Sequence, residues 1–227
     1  MSSPSLTQLI PLAAGMILSP LPIIAVVAMA LSERGRSAAV SFTAAYTLCG
    51  LAVTGITAFG THAAVKATGA KDSTASVIAS AVIGLAFLAL AIVNWRQRPK
   101  PPGSPARTPG WLAKTEVISI GGAAGLGVVM GLTQSKNFPA LIKGGTIIAS
   151  DNHNPLFILL MSTLFAAAGS LAMIVLILMA GSSSPKVREW MENLKTDLIA
   201  HSAFIMAALF GLLAATELAH TVQALTH

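Results

Sequence analysis

Residues 9–31 read LIPLAAGMILSPLPIIAVVAMAL. The run carries no charge and is long enough to cross a bilayer as a helix, which takes about 20 mostly apolar residues. Yet Ser19-Pro20-Leu21-Pro22 stands in its middle. A proline inside a helix lacks a backbone donor and clashes with the preceding turn, so the helix breaks or kinks there. The run 117–149 repeats the feature, with Thr133-Gln134-Ser135-Lys136-Asn137-Phe138-Pro139 near its centre. As one helix, about 33 residues would reach roughly 50 Å, against a hydrocarbon core of about 30 Å. The second run must tilt strongly or break, and its polar centre is the place to break.

Composition agrees with a membrane chain. Of 227 residues, 54% are hydrophobic and 10% charged, with a mean hydropathy of +0.76. A soluble domain carries roughly 25% charged residues. So few charges cannot cover a water-facing surface, which excludes a soluble enzyme; disorder is excluded by the hydrophobicity. The single cysteine, Cys49, excludes a disulfide framework, a cysteine-rich zinc site and an internal dithiol pair. The net charge of +6 is gathered in short linkers, Arg96–Lys114 and Lys186–Lys195, as the positive-inside rule describes. Aromatics are too sparse for a base-stacking platform, so nucleic acid is not an expected partner.

Outward from the two interrupted runs, hydropathy predicts an all-α polytopic membrane protein with spans near 9–31, 38–60, 75–94, 117–149, 156–181 and 198–219. The basic stretch Trp95–Lys114 places its loop in the cytoplasm, together with Ser32–Ser37 and Ser182–Asp197. Both termini then lie outside a cytoplasmic (inner) membrane crossed several times. No basic residue precedes Arg34, so the first run is read as a retained helix. Residues 98–114 form a basic, proline-rich linker between a first three-helix unit, 1–97, and a second, 115–227. Within the second, Val187, Trp190, Met191 and Leu194 share helical spacing. They predict a short interfacial helix near 185–195.

Aligning Pro22 with Pro139 sets the turn 32–37 opposite 150–154 and brings Gly50-Leu51-Ala52 close to Ser170-Leu171-Ala172. Three spans per unit is an odd number, so the units would insert upside down relative to each other. The expected architecture is a 3+3 inverted repeat with broken helices 1 and 4, and such matched breaks point to a transporter site near the midplane. Gly121-xxx-Gly125 and Gly127-xxx-Gly131 predict close helix approach, with homodimerisation as a weaker reading.

At these residues the chain resembles the lysine exporter superfamily, which has a Pro-x-Pro motif in its first helix and Asn-Pro-Lys in its fourth. Here Pro20-Leu21-Pro22 matches the first, and Gln134-Ser135-Lys136-Asn137 stands at the second, departing from it where Asn-Pro is usual. Within that superfamily, the basic proline-rich linker and the pattern after Lys136 resemble the actinobacterial GAP family, whose founding members are implicated in delivering glycopeptidolipids to the mycobacterial surface. The resemblance implies an exporter and leaves its substrate open.

Ionisable groups inside spans are default functional candidates. The expected substrate-binding or gating set is Ser19, Pro20, Pro22, Gln134, Ser135, Lys136, Asn137, Pro139 and Lys143. Lys136 lies too deep to reach water easily, whereas Lys143 either shares its face or snorkels outward. Asp197 and His201, at i, i+4, are a candidate proton relay or simply an interface pair. Glu217 and His220 read the same way more weakly and do not make a metal site. Tyr46, Thr43, Thr47 and Ser41 line a pathway or pack. No nucleotide-binding loop, catalytic triad or cofactor fingerprint appears, so neither catalysis nor a cofactor is expected.

The function these features suggest is a secondary exporter or translocator of a small amphiphilic or lipid-linked substrate of the cell-envelope glycolipid type. An amino-acid or small-cation exporter is the alternative in the same class, and a non-transporting scaffold for envelope lipid synthesis or export is the alternative in another. A thiol-disulfide transporter is disfavoured by serines, Ser19 and Ser135, where cysteines would stand. Expected partners are membrane lipids and the substrate, with a homodimer or envelope-biosynthesis proteins left open.

Overall fold

The computed structural model describes residues 7–32, 35–68, 73–96, 112, 115, 117–134, 137–152, 154–182 and 184–226. Ser135, Lys136 and nearly all of the 98–114 linker lie outside them. Among the described residues the chain forms nine helices: α1 (Leu9–Ile17), α2 (Pro20–Leu31), α3 (Gly35–Thr68), α4 (Ser73–Arg96), α5 (Ile120–Thr133), α6 (Asn137–Asp151), α7 (Pro155–Gly169), α8 (Leu171–Ala180) and α9 (Pro185–Thr226).

The first break falls where the prolines demand it. Ser19 is extended (φ −72°, ψ 108°), the conformation favoured before proline, and Pro20 opens α2. The first turn of any helix has donors with no partner inside the helix, so Pro20 and Pro22 sit where a missing N–H costs least. The second break follows the same rule. Gln134 is extended (φ −68°, ψ 111°), and Pro139 lies shortly after this break as Pro22 lies shortly after the first. α5 is capped at its start by Ser119, whose Oγ accepts from the Gly122 N–H at 3.0 Å. α1 and α2 meet at 43°.

A third break comes at Ser170, where α7 and α8 meet at 57°. The expected fifth span is therefore bent. Its Gly169-Ser170 step is a recognised site of kinking.

α3 and α9 are each long and apolar enough to cross a membrane, over Gly35–Ala63 and Pro185–Gln223, and the bent pairs α1–α2 and α7–α8 qualify when each is taken as one span. Helices of this length and composition suit a multi-pass membrane protein, with two to four candidate spans among the described residues. The other expected spans correspond to α4 and to the α5–α6 pair, whose apolar stretches Gly84–Arg96 and Ile120–Thr133 are shorter. Outward-facing Ile10, Leu48, Ile56, Leu156, Leu178 and Leu212 would be an aggregation liability in water and suit lipid tails instead.

α3 is the spine. α2, α5, α6 and α7 pack along it, while α4 lies chiefly against α9, and α9 also packs on α2. The last helix corrects one expectation. Residues 185–195 and 198–219 are not two elements but one continuous helix of 42 residues. Met191 is buried, and Val187 and Leu194 partly so, in a cluster with α2, α3 and α8 residues such as Val27, Ala39 and Ile177. That face meets protein and not a membrane surface; only Trp190 of the four is exposed. Arg188 Nη2 donates to the Leu31 carbonyl at 3.2 Å, placing a cation at the C-terminal end of α2.

The two glycine patterns separate. Gly127 and Gly131 let α5 approach α3 so closely that an added Cβ would lie 2.4 Å from the Phe42 carbonyl oxygen at one and 3.0 Å from Cys49 Sγ at the other. Gly121 and Gly125 have open space around them. Gly127→Ala should therefore lower the thermal midpoint in detergent by overpacking, about 1–3 kcal/mol. Gly125→Ala, in the same helix, should leave it unchanged or raise it, since alanine is favoured there by about 1 kcal/mol. Equal effects of the two substitutions would refute this packing assignment.

Candidate functional site

The breaks converge on one polar junction. Asn137, the first residue of α6, is buried, and its side-chain nitrogen lies 2.9 Å and its oxygen 3.1 Å from Ser19 Oγ, the residue between α1 and α2. The same amide reaches Tyr46 Oη on α3 and Gln134 Oε1 at 2.7 Å. Two amide hydrogens suit Tyr46 and Gln134, while the Ser19 hydroxyl suits the amide oxygen. One side chain thus ties both proline-marked breaks to the spine. At the next residue of α3, Thr47 Oγ1 donates to the Thr43 carbonyl at 2.8 Å and lies 2.7 Å from Ser170 Oγ at the third break.

Between the breaks lies a small enclosed cavity of about 10 Å³, lined by Met16, Tyr46, Thr47, Gly131, Gly169 and Ser170 among others. A water needs about that much room and several polar partners. The junction is therefore closed to anything larger in this conformation, and passage of a substrate requires the helix ends to move apart.

The structure places the expected site residues unequally. Ser19, Gln134 and Asn137 meet directly, and Pro20, Pro22 and Pro139 set the helix starts that bring them there. Ser135 and Lys136 fall outside the described residues. Lys143 neither faces the junction nor snorkels freely: its Nζ donates to Glu217 Oε1 on α9. Glu217 is almost wholly buried, 1% exposed, and was the residue that sequence reasoning weighted least. Its signal was present as an acidic residue inside an apolar run, but its partner lies 74 positions away. Asp197 and His201 stand apart from the junction on an exposed face, and His201 Nδ1 lies 2.9 Å from the Asp197 backbone carbonyl. Ser41 Oγ donates to the Ile120 carbonyl at 2.9 Å, linking α3 to the start of α5. No group of three or more potential metal ligands occurs among the described residues.

A second, larger space opens between α4 and α9. About 370 Å³ in volume, it is walled by Ala91, Ile92, Trp95, Ala207 and Ala208, with Arg96 at its end. Its lining is almost wholly apolar. Nearby, Trp95 stacks at a tilt on Phe204 with ring centroids 6.0 Å apart.

The junction yields a stability prediction. Asn137→Leu keeps the volume but strands three polar partners, two of them buried, and should destabilise the protein by about 1–3 kcal/mol. Tyr46→Phe removes one partner only and should cost about 0.5–1.5 kcal/mol. Thermal unfolding of the purified protein measures both. A midpoint for Asn137→Leu at or above that of Tyr46→Phe would show that the amide does not hold the breaks together.

No curated protein and no solved structure matches this chain. One family model does, that of Sap, sulfolipid-1-addressing protein, and it covers residues 9–223. The match takes in both proline-marked breaks, the spine and the Lys143–Glu217 pair. The chain belongs to the sulfolipid-1-addressing protein family.

Proposed function

We propose that this protein is a secondary exporter that moves an anionic, lipid-linked amphiphile of the sulfolipid type across the cytoplasmic membrane toward the cell envelope. The observation that carries the reading is the meeting of two proline-marked helix breaks at the buried amide of Asn137. Non-helical backbone at membrane depth is tolerated where it is buried in protein or lines a path for polar groups, and matched breaks are how transporters build such a path. The family name supplies the substrate class, an envelope glycolipid whose sulfo group is anionic. The apolar space beside Arg96 suits the lipid part of such a substrate, with acyl chains along α4 and α9.

In this reading the chain has six spans arranged as a 3+3 inverted repeat, α1–α4 and α5–α9, with the 98–114 linker in the cytoplasm. Lys136, between the two halves of the broken fourth span, stays charged and meets the anionic head as it passes. A lone ammonium at the centre of a span costs about 2.5–3.5 kcal/mol on insertion scales, so its retention there fits a working role.

Deletion of the gene should deplete one sulfated or glycosylated lipid class from the outer envelope while that class accumulates inside, read by lipidomics of separated fractions. Lys136→Met should insert and fold normally yet fail to restore the surface lipid, and Lys136→Arg should restore it in part, since the charge remains but the geometry changes. Full restoration by Lys136→Met would make the lysine incidental. Purified protein in proteoliposomes should move the lipid alone; absence of flux with restored export in cells would instead identify an accessory scaffold. A cysteine replacing Ser104, in a Cys49→Ser background, should resist impermeant reagents in intact cells, and labelling there would invert the topology.

A further inference from the structure

The ion pair between Lys143 and Glu217 lies away from the junction, and the exporter reading does not use it. Its setting is unusual for a structural salt bridge. Lys143 stands on α6, six residues beyond Asn137 and so about 9 Å along the helix from the junction. Glu217 stands on α9, where α4 covers it: a Cβ on Gly84 would lie 3.1 Å from the Glu217 Cβ. The backbones of α6 and α9 scarcely approach each other. The long lysine side chain bridges that space and ties the second broken helix to the α4–α9 pair.

The two ends of the bridge differ in burial. The Lys143 side chain is 21% exposed and that of Glu217 2%. Only Oε1 of the carboxylate is used; Oε2 is buried and has no hydrogen-bond partner among the described residues. A buried carboxylate kept for stability alone has both oxygens satisfied, because each unpaired one weakens the pair. Here one oxygen is left for something that arrives.

The charged surroundings are sparse. α1, which packs near this part of α9 through Gly15 and Leu213, has no titratable side chain, and the only titratable residue of α4, Arg96, is at the helix's far end. Beyond Lys143, α6 carries Asp151 two turns on, and α3 carries His62. α9 itself carries His220 one turn beyond Glu217, and its Thr221 hydroxyl bonds the Glu217 backbone carbonyl at 3.0 Å. Lys143 is thus the one charge in contact with this carboxylate among the described residues.

We propose that Glu217 is the proton-binding site that couples export to the proton gradient, with Lys143 as the cation the proton displaces. The proposal rests on the exporter reading and adds its driving ion. In the resting pair, carboxylate and ammonium sum to zero charge. A proton from water adds to the Glu217 carboxylate and makes a neutral carboxyl. Lys143 keeps its protons and its positive charge, loses its counter-ion, and is free to swing away from Glu217. The tie between α6 and α9 is then broken, which loosens the α4–α9 pair at this end while the packing of α9 on α2 remains. Loss of the proton on the other side of the membrane restores the pair.

The experiment uses the full chain with Cys49→Ser, spin-labelled at exposed Ile142 on α6 and Leu212 on α9 and reconstituted in liposomes. Acidification should lengthen the label separation in the otherwise native protein. Glu217→Gln, which mimics the protonated state, should show the longer separation at every pH. A separation that ignores pH in the native protein overturns the proposal, as does a pH response that survives Glu217→Gln. The pair Lys143→Met with Glu217→Leu replaces both charges with apolar groups and guards against misfolding. Retention of the pH response in that variant also overturns it. In flux assays with a short-chain sulfated glycolipid as probe, Glu217→Gln should lose acceleration by a proton gradient and keep exchange of lipid between the two sides. Acceleration by a sodium gradient alone would overturn the assignment of the proton. Failure of the native protein to move lipid at all, with the pH-dependent separation intact, sinks the exporter reading and leaves the proton site standing.

Discussion

The fold depends on one constraint: backbone polar groups exposed by a broken helix find no water in a hydrocarbon interior and must be satisfied by protein. Proline makes both early breaks unavoidable, and each break brings the side chains that the other needs. Ser19 lies in the first and Gln134 in the second, and the Asn137 amide contacts both of them and Tyr46 on the spine. Packing follows from that junction. The glycines at 127, 131 and 145 lie along α5 and α6 against α3, where their missing side chains permit the close approach that the hydrogen bonds require. At Gly145 an added Cβ would come within 2.5 Å of the Thr54 carbonyl oxygen. Helices held that near gain dispersion contacts that lipid tails cannot match in geometry.

Much of this was legible in the sequence because proline and length are local signals. Pro22 and Pro139 each lie shortly after a break, because a proline is tolerated best near the start of a helix. The break at Ser170 was less visible. Glycine followed by serine is common in membrane helices, and only the polar contact from Thr47 marks this step apart. The start of α9 was misread for a different reason. Hydropathy falls across 185–197, which suggests separate elements, but no glycine or proline interrupts the stretch after Pro185 and its residues favour helix. Polarity and helicity are independent properties, and there the chain keeps one while changing the other.

What sequence could not supply was register between distant helices. Lys143 read as a residue facing the junction or the outer surface, because its position along α6 was all that was known. Its neighbour on α9 depends on how α4 and α9 lie beside the spine, through contacts such as Phe87 with Phe210, whose ring centroids are 5.9 Å apart. The same register decides which glycine pattern packs. Gly121 and Gly127 are indistinguishable by spacing, yet one faces open space and the other a backbone carbonyl.

The arrangement divides the molecule into a tightly bound part and a loosely tied one. α5, α6 and α7 are fastened to α3 by glycine contacts and by the polar junction, which would have to be dismantled bond by bond to move. α4 and α9 are fastened mainly to each other, α9 also packs on α2, and among the described residues the ion pair between α9 and α6 is made by the long side chain of Lys143. Motion that opens a path for an amphiphile meets least resistance along that second boundary, where the apolar space beside Arg96 also lies. Under the proposed function, a lipid moving there would keep its chains against apolar walls and need polar contacts only for its head, and those are concentrated at the junction. On the proposed function a channel wide enough for the whole molecule is unnecessary: the head would cross where the helices are broken and the chains would stay beside α4 and α9, with the Lys143–Glu217 pair one of the ties between the two regions.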